Sequence, residues 1–265
     1  MFIEYNYRTL RNILAKTALC CFLFAAPSYA HQIKSLTVLA EPNLVAALTK
    51  ISRTYSQKNA VIVSVGFASA NDLINDIDAG EPSDVFISAH QDWLSNLKQK
   101  GLIDIYNVNH IASDDLVLVT SRDNLSAPNS LLENNPDFEE SLQILNRNRL
   151  NLIVDNEESS LGKYSKNTVE TLQLHDVKLF TKLSEDKSSI VKLLQENSDS
   201  YAILLASQVS NHSDLRILSR KKTQHIFYQA LVIAGDNMDI AREFLKFLKT
   251  PQAKVIFKEN GFIIE

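Results

Sequence analysis

The chain has 265 residues, 45% of them hydrophobic and 22% charged, with only six Gly and six Pro. That is enough apolar material for two modest lobes or one large one, and too little Gly and Pro for a disordered or low-complexity chain. The formal charge of −4 argues against a nucleic-acid partner, which needs a basic surface; the one basic run, Arg220-Lys221-Lys222, reads as a solvated loop.

Arg8, Arg11 and Lys16 precede an apolar stretch, Thr17 to Ala26, that is too short to span a bilayer as a mature helix. Pro27-Ser28-Tyr29-Ala30 then sets small residues at the −3 and −1 positions of a cleavage site. Residues 1–30 are therefore expected to be a signal peptide cleaved after Ala30, which delivers the mature chain to the periplasm. Leu19 precedes Cys20, and Cys20 precedes Cys21, so the small residue that normally precedes a lipid-attachment cysteine is missing and the product is expected to be soluble. Both cysteines leave with the leader, so the mature chain has no disulfide, thiolate metal site or cysteine nucleophile. Loss of Glu4 with the three basic residues takes the formal charge from −4 to −6.

Ser35 to Ala40 reads as a short strand. Asn43 sits where the N-cap of a helix over Leu44–Tyr55 belongs, with Leu44, Ala47, Leu48, Ile51 and Tyr55 at helical spacing. Val61–Phe67 is a second strand, and a helix from Asp72 stops at Gly80. Asp84–Ser88 is a third strand, and a helix from Gln91 stops at Gly101. Strands are then expected at Leu116–Thr120, Leu150–Val154, Val177–Phe180, Tyr201–Ala206 and Phe227–Ala234. Helices are expected at about Gly162–Leu172, Ser188–Glu196, Met238–Lys249 and from Pro251 to Asn260. Strands alternating with helices predict an α/β fold with helix-covered sheets. Open sheets of this kind take ligands beyond the carboxyl ends of their strands, where helix N-termini supply free N–H groups. The turns Glu41-Pro42-Asn43 and Ala68-Ser69-Ala70-Asn71 have that character, although ordinary helix capping is the more economical account of the turns alone.

The stretch from Phe67 to Leu73, followed by Gly80-Glu81-Pro82-Ser83-Asp84-Val85-Phe86-Ile87-Ser88-Ala89, resembles the periplasmic molybdate-binding family of ABC importers. Trp93, Gly101-Leu102-Ile103, Leu116–Val119 and Phe247 to Ala253 with Phe257 and Gly261-Phe262 continue the match. The resemblance implies a two-lobed, type 2 periplasmic-binding-protein fold. Each lobe is a mixed, mostly parallel sheet flanked by helices, with the ligand cleft between the lobes. Lobe one is expected at 33–112 plus 228–265 and lobe two at 113–227. It further implies a monomer that carries a small oxyanion such as molybdate or tungstate to an inner-membrane permease.

By this resemblance the ligand positions fall on Asn43, Ser69, Ala70, Asn71, Leu161, Gly162, Lys187 and Leu205. Several depart from the family's neutral donors. Ala70 stands at a donor serine, Leu161 at a small residue, and Leu205 at a donor tyrosine, while Lys187 adds a charge. Glu41 and Pro42 sit badly beside an anion, one repelling it and the other lacking an N–H. The same fold with a different small ligand, or with a lost site, therefore stays open.

Nothing in the sequence nominates an enzyme. His31, His90, His110, His175, His212 and His225 show no metal-ligand spacing. There is no G-x-S-x-G, Walker or dinucleotide motif, so no catalytic residue, metal or cofactor is expected.

Overall fold

The computed structural model describes residues 34–89, 91–181, 189–221 and 226–264. The expected signal segment, the Trp93 side chain, Lys187, Lys222, His31, His90 and His225 lie outside the described residues. Among those described, no helix is long and apolar enough to cross a membrane.

In chain order, β1 (Lys34–Ala40) leads through a 3-10 turn at Pro42–Leu44 into α1 (Val45–Asn59). Next come β2 (Val61–Phe67), α2 (Ala70–Asp78), β3 (Val85–Ser88), α3 (Gln91–Gln99) and β4 (Ile103–Asp114). The chain then enters β5 (Leu116–Ser121), α4 (Asn129–Leu132), α5 (Phe138–Arg147), β6 (Asn151–Val154), α6 (Ser160–Thr171) and β7 (Lys178–Thr181). These are followed by α7 (Ile190–Glu196), β8 (Tyr201–Leu205), α8 (Ala206–Val209) and β9 (Leu215–Arg220). It returns through β10 (Ile226–Ile233) and ends in α9 (Met238–Leu248) and α10 (Pro251–Glu259).

The strands form two five-stranded sheets, β2-β1-β3-β10-β4 and β7-β6-β8-β5-β9. In each, two pairings are parallel and two antiparallel, the mixed sheets of a two-lobed α/β protein. The chain passes between them twice, from β4 into β5 and from β9 toward β10. Central strands are apolar on both faces: every residue of β3, β5 and β8 is buried. The edge strand β7 is exposed throughout. On the first lobe, α9 buries Ala241, Phe244, Leu245 and Leu248 at spacings of three and four. Phe244 meets Tyr55 of α1 edge-to-face at 5.1 Å.

Gly80 and Gly101 end α2 and α3 with φ of 83° and 69°, as a left-handed stop requires. Asn43 does not cap α1. The N-cap is Leu44, which makes no side-chain cap bond, and Asn43 lies inside the preceding 3-10 turn. Proline fixes φ near the helical value, so Pro42 starts the turning one step early. No sequence expectation covers β4, α4, α5 or the body of β9. Of these α5 has an ordinary entry signal, since Asp137 accepts the Glu140 N–H at 2.8 Å. Arg220, expected in a solvated loop, instead ends β9 and pairs with buried Asp115 at 3.0 Å.

Candidate functional site between the lobes

The carboxyl ends of β1 and β3 and the N-terminus of α6 converge on one side chain, Glu41. It follows β1 directly in extended conformation and is 4% exposed. Its Oε1 accepts the Ser88 hydroxyl at 2.7 Å and the Ala89 N–H at 2.8 Å, both from the end of β3. The same oxygen accepts the Ser160 hydroxyl at 2.8 Å, from the first residue of α6 on the other lobe. Ser160 contributes its backbone N–H to the carboxylate as well. Burial pushes the Glu41 carboxyl above the usual carboxylate range, and the bonds from Ser88, Ala89 and Ser160 pull it partly back. Hydroxyls and N–H groups gathered at a helix N-terminus are the ordinary means of holding an anion without a cation.

Two further hydrogen bonds join the lobes around this point. The Tyr164 hydroxyl donates to the Ala89 carbonyl at 3.1 Å, and the Asn71 N–H donates to the Glu158 carbonyl at 3.4 Å. α6 is aimed by its cap: Ser159 accepts the Gly162 N–H at 2.9 Å and donates to Asp155 at 2.8 Å. Serine capping explains why α6 starts at Ser160, two residues before the expected Gly162.

Of the described residues singled out from the sequence, Asn43, Ser69, Asn71, Gly162 and Leu205 have donors that are used elsewhere. Asn43 donates its side-chain amide to the hydroxyl of buried Tyr228. Ser69 caps α2, accepting from the Asp72 N–H at 3.2 Å and donating to the Asp72 carboxylate at 2.7 Å. Ala70 and Leu161 are buried, and Gly162 gives its N–H to Ser159. Leu205, buried at the end of β8, gives its N–H to the Gln208 side chain at 3.0 Å. Glu41, Ser88, Ala89 and Ser160 were not among the expected site residues. A signal for them existed: a carboxylate directly after a strand, and a serine pair at a helix start.

Tyr228 supports the Glu41 turn from below. Burial, then the charges of Asp114 and Glu41, hold its phenol well above the usual range, so it stays neutral. Tyr228→Phe removes the acceptor for Asn43. The expected loss is about 1 kcal/mol, read as a fall in Tm of about 2–4 °C; an unchanged Tm would mean that the bond contributes nothing net.

A family model for bacterial extracellular solute-binding proteins matches residues 36–263. The chain belongs to that family. It is a family of solute-binding proteins rather than of enzymes. Among curated relatives, the molybdate-binding protein ModA of Escherichia coli is 29% identical over 265 residues, covering 96% of this chain and 98% of its own. The periplasmic molybdate-binding protein of Azotobacter vinelandii superposes with a TM-score of 0.68 at 16% identity, over 87% of this chain and 99% of that one. The tungstate ABC transporter protein of Geobacter sulfurreducens gives 0.69 at 14% identity, over 85% and 98%. At such identities these two structures establish the fold alone.

Proposed function

We propose that this chain is the solute-binding component of an ABC importer and that its cargo is a small tetrahedral oxyanion, molybdate or tungstate. The observation that carries this reading is the convergence of the Ser88 hydroxyl, the Ala89 N–H and the Ser160 hydroxyl, from both lobes, on one anionic oxygen. The relatives named for molybdate support it. Residues 1–30 are the cleaved leader, the product is a periplasmic monomer, and an inner-membrane permease receives the cargo. Lobe one comprises 33–112 plus 228–265 and lobe two 113–227. By the family resemblance, Asn43, the Ser69–Asn71 turn, Leu161-Gly162 and Leu205 are the further candidates for contact with the cargo, together with Lys187, which lies outside the described residues.

Titrating the mature protein with molybdate, tungstate and sulfate while following Tm tests the reading. At about 100 times the dissociation constant, an oxyanion that binds only the folded chain stabilises it by about 2.7 kcal/mol. That corresponds to a rise of roughly 5–10 °C. A flat response to all three at millimolar concentrations would leave the alternative, a cleft refitted to another small ligand or to none.

A further inference from the structure

We propose that Glu41 is the resident occupant of the oxyanion site, an internal ligand that ties the two lobes together and that the solute must displace. This rests on reading the Ser88–Ala89–Ser160 donor set as that site.

The argument is one of donor arithmetic. A hydroxyl has one proton and a backbone amide one hydrogen. The protons of Ser88 and Ser160 and the N–H of Ala89 are all directed at Glu41 Oε1, at 2.7–2.8 Å. A solute anion arriving beside the carboxylate would find these donors committed and would face a like charge at close range in a site where Glu41 is buried. Solute and Glu41 therefore exclude one another. The carboxylate also bridges the lobes as a solute would, taking Ser88 and Ala89 from one and Ser160 from the other.

Glu41 is covalently attached, so it competes at a fixed, high effective concentration. It sets a threshold that only a stronger acceptor passes. A tetrahedral dianion offers four oxygens and two charges against the two oxygens and single charge of a carboxylate. Departure is feasible because burial disfavours the Glu41 charge, as the raised carboxyl shows. The turn can release it without breaking β1, since Glu41 lies just beyond the strand.

The test compares the mature wild-type chain with Glu41→Ala, using sodium tungstate and sodium formate as separate probes by calorimetry and thermal shift. Removing the competitor should tighten tungstate binding by about 100-fold or more. Formate, a free carboxylate, should fill the vacated position and raise the Tm of the variant while leaving that of wild type unchanged. Equal tungstate affinities in the two proteins overturn the inference and leave the oxyanion reading standing. Formate rescue of the variant with no tungstate binding by either protein supports the resident carboxylate and removes the oxyanion reading. No response of the variant to either probe overturns the inference. Should Glu41→Ala fail to fold, Glu41→Gln keeps the side-chain volume and removes the charge. It should bind tungstate more tightly than wild type by a smaller factor, and equal affinity again overturns the inference.

Discussion

Replacing Gly162 by alanine is expected to lower stability by at least about 3 kcal/mol, a fall in Tm of roughly 6–12 °C. Gly162 is the third residue of α6, and a Cβ on it would stand 1.6 Å from the Asn156 carbonyl oxygen and 2.3 Å from its carbon. These are backbone atoms and cannot rotate away as a side chain could. The same carbonyl accepts the Ser159 N–H at 3.3 Å, and Asp155 holds both the Asn156 N–H, at 3.1 Å, and the Ser159 hydroxyl. The turn and the helix start are thus one rigid unit, and the added methyl must push α6 outward. Ser160 would move with it, away from Glu41, so the lobe-bridging bond should weaken alongside the fold. Gly235→Ala is the control: nothing lies within 4 Å of its Cβ position, and a change within about 0.5 kcal/mol is expected. Equal melting of the two variants would contradict the contact account.

The helical and strand periods along the chain were legible because they reflect burial. α9 shows this directly, with apolar residues at its inward positions and a matching strip of core beneath. β4 was not legible. Its first half is edge-like and partly exposed, its last four residues are fully buried where it passes between sheets, and no single alternation runs through it. The site is less legible than the fold. The resemblance points to positions where donors are found in the family, and by local chemistry Glu41 is an obstacle to an anion. Locally its charge stands against an incoming ligand, while in the structure its Oε1 is itself the acceptor of three donors. Which partner a carboxylate finds depends on Ser88 and Ser160, 47 and 119 positions away, and local pattern does not carry that distance. Asn43 went the same way: a cap by local rule, it is drawn to Tyr228, 185 positions away.

Asp114 should make the wild-type chain less stable as pH rises from about 4 to 7. It ends β4, where the chain crosses between the sheets, and is fully buried. Its Oδ1 accepts the Asp115 N–H at 2.8 Å and the Ser207 N–H at 3.2 Å. Burial outweighs these bonds, and with the neighbouring Asp115 charge adding in the same direction the carboxyl is pushed from the ordinary 3.8 to about 6. Between those two values the folded chain keeps a proton that the unfolded chain has lost. Stability from this group is therefore fully present below the lower value and is lost as pH rises through the upper one. The whole difference corresponds to about 3 kcal/mol. Asp114→Asn is neutral throughout and keeps an oxygen for the two N–H donors. The stability of the variant minus that of wild type, from urea unfolding, should thus climb by about 3 kcal/mol between pH 3 and pH 7. Glu41, whose carboxyl is raised for the same reason, is present in both proteins and drops out of the subtraction. A difference that stays level, or falls with pH, would mean that the crossover shelters the charged carboxylate better than its burial implies.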